Sequence, residues 1–513
     1  MSDYVIVGAG SAGCVLAARL TEDPSTTVTL IEAGGKGKHP NIVIPAAFAN
    51  QFHTKLDWDF QTDPEPHLGG RSLYVPRGKG LGGSSNMNAM LYVRGRPLDY
   101  DLWVQQGATG WDWDAVLPYF IKAEDNERGS SEFHGVGGPV RVENERSPRA
   151  MTGRMMAAVE AAGVPRIADY NGPEQDGLSP VQVFQKGGRR WSAADAYLRP
   201  AMKRPNLTVL TKKLVTGLEI SGGRATGVKL AGGDVVRADR EVIVAAGAIG
   251  SPQLLMLSGI GPAGHLREHG IDVVADLPVG ENLQDHPYLT LIFESSEPDS
   301  LFGADKPMKL LEWLLRKTGP LTSSVAEAFA FVRSRPGLPA ADLQFHLAPA
   351  YFYKHGSEEF DGHALTLGPA LVSPKSRGSV TLRSAGPTAK PRILTNTLAE
   401  REDVESLVAG VRLAREWVQN EPLRSATPRE LHPGPDADSD EQIEAWVRQH
   451  VELLYHPSCT CPMGTVLDPQ LRVHGVEGLR VCDASVFPVI PGGNTNAPAM
   501  MVAERGADLI KAG

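Results

Sequence analysis

The first 32 residues limit what this chain can fold into more than any other stretch. Tyr4-Val5-Ile6-Val7 is a β-branched run of the kind buried in a parallel sheet. It leads into Gly8-Ala9-Gly10-Ser11-Ala12-Gly13 and then into Cys14-Val15-Leu16-Ala17-Ala18-Arg19-Leu20, a helix pattern of mostly small and apolar residues. A second strand, Val28-Thr29-Leu30-Ile31, ends on Glu32. A strand, a G-x-G-x-x-G turn, a helix, a strand and an acid roughly 20 residues past the last glycine make the dinucleotide-binding fingerprint. Gly8 permits the tight turn, Gly10 lets backbone approach a pyrophosphate, and Gly13 lets helix and strand pack closely. The free N–H groups at the helix start favour the phosphates. Glu32 can accept from a ribose diol, which argues against the 2′-phosphate of NADP but leaves NAD and FAD open.

At 513 residues the chain has room for two to four domains, and 42% hydrophobic with 22% charged residues is ordinary for a protein with a sizeable core. A net charge of −9 argues against a nucleic-acid partner, which would want a basic face. Four cysteines (Cys14, Cys459, Cys461 and Cys482) are too few for a disulfide scaffold and suit a reduced, cytoplasmic setting. The first strand starts at Tyr4, leaving no room for a secretory signal, and no apolar run is long enough for a transmembrane segment. Residues 308–317, MKLLEWLLRK, read as an amphipathic helix covering the core, with membrane contact as the other reading.

Residues 36–70, with Pro40, Pro45, Pro64 and Pro66, are too long for a simple connection and are expected to wrap a surface or form a lid. Residues 78–88, GKGLGGSSNMN, read as a helix N-terminus against a cofactor, with backbone N–H groups and Asn side chains as donors. Helices are expected over 111–124, capped by Asp114, and over 150–162. A strand at 207–210 and a hairpin of 214–220 with 225–230 precede a buried strand at 241–246, which opens a helix at 253–258. Past Pro287 the pattern changes to alternation, as in 328–332, 342–347 and 378–382, which reads as antiparallel strands with one face in water. Helices over 400–419 and 440–452, a strand at 479–483 and a closing helix over 499–511 complete the chain. The expected fold is α/β, with a discontinuous Rossmann-like nucleotide domain (1–290 plus 451–513) and an inserted α+β substrate domain (291–450) on a mainly antiparallel sheet.

Four separated segments resemble the glucose–methanol–choline (GMC) oxidoreductases, a family of FAD-dependent alcohol oxidases and dehydrogenases. They are the N-terminal fingerprint, residues 78–95, residues 247–261 (GAIGSPQLLMLSGIG) and the C-terminal pair 455–464 and 483–498. Residues 278–286 (PVGENLQDH) and 376–380 (SRGSV) also look like family landmarks. The resemblance implies FAD as the dinucleotide. It places Gly8, Gly10, Ser11, Ala12, Gly13, Glu32 and Ala33 at its ADP end, and Gly83, Ser84, Asn88 and Ala89 along the flavin and ribityl chain. Val215 falls at the adenine, and Asp483 and Ala484 near the phosphates. Where some members carry a flavin-linked histidine this chain has Met87, implying non-covalent FAD.

Alcohol oxidation by a flavin needs a base for the hydroxyl proton, a hydride acceptor and a polar group to hold the developing alkoxide. Histidine suits the first task. The resemblance puts His456 there, with Asn496 as its partner in preference to Asn494, and Asn496 also against the flavin. His456, Cys459 and Cys461 lack a fourth ligand at zinc-like spacing, so no metal is expected. Phe329, Phe331, Tyr351, Phe352 and Tyr353 are candidate pocket residues. No acidic residue can be placed beside the flavin, so a neutral primary alcohol, aliphatic or aryl, is the expected substrate, with O2 or a quinone as acceptor. The same scaffold hosts hydroxynitrile lyases, in which FAD is structural; that is the alternative.

Overall fold

A computed structural model describes residues 2–513. Its first sheet has seven strands, and its parallel core runs in the order Leu207–Thr211, Val28–Glu32, Ser2–Val7, Val235–Val244, Leu479–Val481. Val5, Ile6, Leu30, Val242 and Ile243 are fully buried, as in a parallel sheet covered on both faces. Val235–Val244 serves two roles. Its second half lies between Ser2–Val7 and Leu479–Val481, while its first half pairs antiparallel with the hairpin Val215–Ser221 and Arg224–Leu230. Gly222 and Gly223, at φ 57° and 79°, make the tight turn of that hairpin.

The second sheet is antiparallel and orders Glu430–His432, Leu291–Glu294, Ala364–Leu371, Leu343–Ala348, Ala328–Val332 and Gly177–Pro180, with Pro287–Tyr288 and Glu452–Leu453 beside it. Two of its strands, Gly177–Pro180 and Pro287–Tyr288, thus come from upstream of the 291–450 stretch expected to build it, and Glu452–Leu453 from just downstream. The expectation of a water-facing side is corrected: Leu343–Ala348 and Ala364–Leu371 are buried at every residue. Leu343, Phe345 and Leu347 join the core beneath Ala150–Ala161 and Arg401–Val418, where the Phe345 and Trp417 rings sit 4.3 Å apart. The alternate residues point the other way, where His346 and Ala348 line a cavity and Gln344 bonds Asn494. The polar half of the alternation marks a functional face.

Other boundaries move for local reasons. Asp112, not Asp114, caps Trp113–Ala123, accepting from the Ala115 N–H. The helix expected at 253–258 begins at Gly247, with Pro252 tolerated in its second turn, and the last helix begins at Asn496. Residues 78–88 form one 3-10 turn, Gly83–Asn86, and Ser379–Thr381 pairs only with Arg392–Leu394. The helix Pro307–Arg316 does not cover the core: Trp313 alone is buried, and its leucines face outward. No helix among the described residues is long and apolar enough to cross a membrane.

Candidate active site

Between the two sheets lies a cavity of about 550 Å³. One end is the fingerprint. The Gly8 N–H donates to the Ile31 carbonyl at 2.8 Å, and at φ 100° Gly8 allows a turn so tight that a Cβ would strike the Ala245 carbonyl. Gly13 lines no part of the cavity; a Cβ there would overlap the Gly8 carbonyl oxygen, so its role is helix–strand packing. Gly10 differs, since a Cβ would project into open space within the cavity wall. Ser11–Leu20 starts there without a side-chain cap, and its first N–H groups are available to an anion. Glu32 accepts from the N–H groups of Ala9 (3.0 Å) and Gly34 (2.7 Å); burial pushes its carboxyl up, and these donors act against that. An uncapped helix end, a bare glycine and an anchored carboxylate fit the ADP half of FAD.

Ser11, Ala12, Ala33, Gly83, Ser84, Asn88, Ala89, Val215, Asp483 and Ala484 line the same cavity. The 3-10 turn rests on the fingerprint, with the Gly82 N–H donating to the Ala9 carbonyl at 2.7 Å. Asn88 Oδ1 accepts from Arg190 Nη1 (2.7 Å) and the Met90 N–H (3.1 Å), which turns its Nδ2 into the available donor. Asp483 also ties two segments of the wall together. Its Oδ2 accepts from the Gly247 N–H (2.8 Å) and Ser251 Oγ (2.6 Å), pinning the start of Gly247–Leu257 to the wall.

The opposite end holds His456. Its backbone N–H and that of His286 both donate to Asp285 Oδ1 at 2.8 Å. Its Nδ1 is 3.0 Å from His286 Nδ1, and its Nε2 is 3.3 Å from Asn494 Nδ2. Gln344 Nε2 donates to Asn494 Oδ1 at 3.1 Å, fixing the amide so that Nδ2 points at the ring. An amide NH2 can only donate, so His456 Nε2 carries the lone pair, and His456 Nδ1–H donates to His286. Burial pushes the His456 imidazolium well below its usual range, helped by His286 and Arg77; burial likewise brings His286 to about 3 and His346 to about 4. The buried Asp285 carboxyl is raised to about 7. The His346 ring lines the cavity with no hydrogen-bond partner on either nitrogen. Val325 and Tyr455, at φ 73° and 66°, hold strained backbone in the same wall.

The pairing expected for Asn496 is corrected. Its Oδ1 accepts from Ser11 Oγ at 2.7 Å, joining the starts of the last and first helices, and Asn494 is the residue beside His456. Of the aromatic candidates only Phe352 lines the cavity. Phe329 and Phe331 pack on Tyr170, Tyr351 stacks on Phe360, and Tyr353 stacks on His432. Tyr288, Gln344 and His346 were not singled out from sequence. The alternation of 342–347 carried the signal for the last two.

The GMC oxidoreductase N-terminal family model matches residues 2–288, and the C-terminal model matches 374–503. This chain belongs to the GMC oxidoreductases. It is 46% identical over 525 residues to an uncharacterised GMC-type oxidoreductase of Mycobacterium tuberculosis, covering 99% of each. It is 44% identical over 527 residues to an oxygen-dependent choline dehydrogenase of Brucella ovis, covering 99% of this chain and 95% of that one. The crystal structure of pyridoxine 4-oxidase from Mesorbium loti superposes with a TM-score of 0.91 at 31% identity, covering 100% of both chains. This GMC enzyme is an FAD-dependent alcohol oxidoreductase.

Proposed function

We propose that the enzyme oxidises a neutral primary alcohol to its aldehyde, with His456 as the base. The observation that carries this reading is His456 in the cavity wall, its proton affinity lowered and its Nε2 lone pair held in the cavity by the Gln344–Asn494 relay. His456 takes the hydroxyl proton, and the Asn494 Nδ2 and the partnerless His346 hold the oxygen as its charge grows. When bound, FAD supplies the two-electron acceptor for the carbinol hydride. The fingerprint, Glu32, the 3-10 turn and Asn88 hold it, without a covalent link, since Met87 in the wall is a thioether. This reading assigns 1–290 and 451–513 to the cofactor and 291–450, which supplies Gln344 and His346, to the substrate.

The cavity's carboxylates, Glu32 and Asp483, are both bonded to backbone N–H groups on the cofactor side. Nothing anionic lines the wall around His456, so a quaternary ammonium such as choline would be buried uncompensated. A neutral alcohol, aliphatic or aryl, suits a wall of Phe48, Phe52, Val325 and Phe352.

Anaerobic mixing of holoenzyme with a panel of alcohols tests this: benzyl alcohol or butanol should bleach the flavin faster than choline. Choline as the preferred reductant would reject the neutral-alcohol reading. Flavin that stays oxidised while mandelonitrile is cleaved would instead make the protein a lyase. Admitting air to the reduced enzyme then separates acceptors, since fast reoxidation with peroxide means O2 and slow reoxidation means a quinone-type acceptor. His456→Ala should bind FAD normally, releasable by acid, yet lose about 10²–10⁴-fold in the rate of reduction.

A further inference from the structure

The outer side of Pro307–Arg316 is a surface that the catalytic reading leaves unexplained. Ten large hydrophobic residues are exposed among the described residues, and six of them are Phe302, Met308, Leu310, Leu311, Leu314 and Leu315. Such residues are normally scattered, so six in one segment mark a surface with a partner. Met308 is 71% and Leu315 75% exposed. At 3.6 residues per turn the five helical members cover an arc of about 160°. Trp313 anchors the other side, its Nε1 donating to the Gly188 carbonyl at 2.9 Å and its ring lying 4.0 Å beneath Lys317 Nζ. A helix that packs by its tryptophan and turns its leucines out is the inverse of one covering a core.

Charge selects the occupant. In a chain of net charge −9, this helix is flanked by Lys306, Lys309, Arg316 and Lys317, with exposed Lys186 and Arg189 on the neighbouring turn. The acids of the segment are Asp305 and Glu312, and Glu312 is paired with Lys309 at 3.3 Å. A second copy meeting this face across a two-fold axis would set those cations against each other. An anionic lipid surface accepts both features, taking the leucines into the acyl boundary while the basic side chains reach the phosphates. We propose that this helix docks the enzyme peripherally on an anionic bilayer. The chain leaving the helix passes through Pro320–Thr322 to Ser324, Val325 and Ala326 in the cavity wall, so the docking element is continuous with the substrate end of the site.

The test is flotation of purified holoenzyme with vesicles of phosphatidylcholine alone or mixed with phosphatidylglycerol. Binding should require phosphatidylglycerol and weaken as salt rises. The double substitution Leu311→Glu and Leu315→Glu should lower the partition coefficient at least roughly tenfold. Its oxidation of a water-soluble alcohol should stay unchanged, which also shows that it folds. Lys306→Glu with Arg316→Glu should abolish the preference for phosphatidylglycerol. Failure of the holoenzyme to float with either vesicle would overturn the proposal, as would binding that survives the leucine substitutions. So would a lipid-free dimer, seen by light scattering, that those substitutions dissociate.

Discussion

At the scale of single residues, the site turns on two asparagines two positions apart with different partners. Asn494 is oriented by Gln344 and faces His456 Nε2, while Asn496 is tied to Ser11. Asn494→Ala should therefore slow flavin reduction by an alcohol about 10²–10³-fold, the loss expected for one donor to a developing alkoxide. Asn496→Ala should act first on FAD affinity, measured by titrating apoprotein. Equal effects of both on the reduction rate alone would contradict these roles. The titration of His456 makes a second prediction. Burial lowers its affinity for a proton, so the neutral base persists as pH falls, and the acid limb of kcat/KM should lie well below pH 6.5. Asp285, raised to about 7, titrates nearby, so the profile is best measured in Asp285→Asn, which keeps an acceptor for both N–H groups. A limb at 6.5 or above in that background means that another group is the base.

At the scale of elements, the fingerprint glycines separate binding from folding. Gly10 has φ −78° and open space where a Cβ would go, so Gly10→Ala should leave the melting temperature of the apoprotein nearly unchanged and weaken FAD binding tenfold or more. Gly13→Ala forces a Cβ onto the Gly8 carbonyl and should cost about 1–3 kcal/mol of stability, read by urea unfolding of the apoprotein. These local elements were legible in the sequence, because strand, turn and helix lie within one short stretch and each leaves its own periodicity. The alternation of 342–347 was legible as a strand, but the environment of its polar face was not. Period two distinguishes the faces without saying whether Gln344 and His346 meet water or a catalytic cavity. The same limit explains Pro307–Arg316, where amphipathic spacing shows that two sides differ but not which one packs. Asn494 was misjudged because the last helix was expected three residues late. Starting it at Asn496 turns that side chain toward Ser11 and leaves Asn494 in the turn facing His456.

At the scale of the molecule, the ends of the chain build one structure. One end of the cavity is lined by Gly8, Gly10 and Glu32 near the N-terminus, and the other by His456 and Asn494 near the C-terminus. What keeps them in register is the packing of Ser11–Leu20 against Asn496–Ala512. Arg19 reaches Glu504 through Nε (2.8 Å) and Nη2 (2.8 Å), and Tyr197 donates to the same carboxylate at 2.7 Å. Glu504 is fully buried, so its charge is offset by these partners rather than by water. No sequence pattern announces a pair separated by most of the chain, and this closure is visible only in the fold. Glu504→Ala would leave the Tyr197 hydroxyl without its acceptor and Arg19 with Glu22 alone, and should cost about 3 kcal/mol of stability by urea unfolding. Because the helix starting at Asn496 shares that interface, FAD affinity should fall together with stability, whereas Glu504→Gln, which keeps an acceptor, should recover part of both. Loss of stability with FAD affinity intact would mean that the two helices meet the cofactor independently.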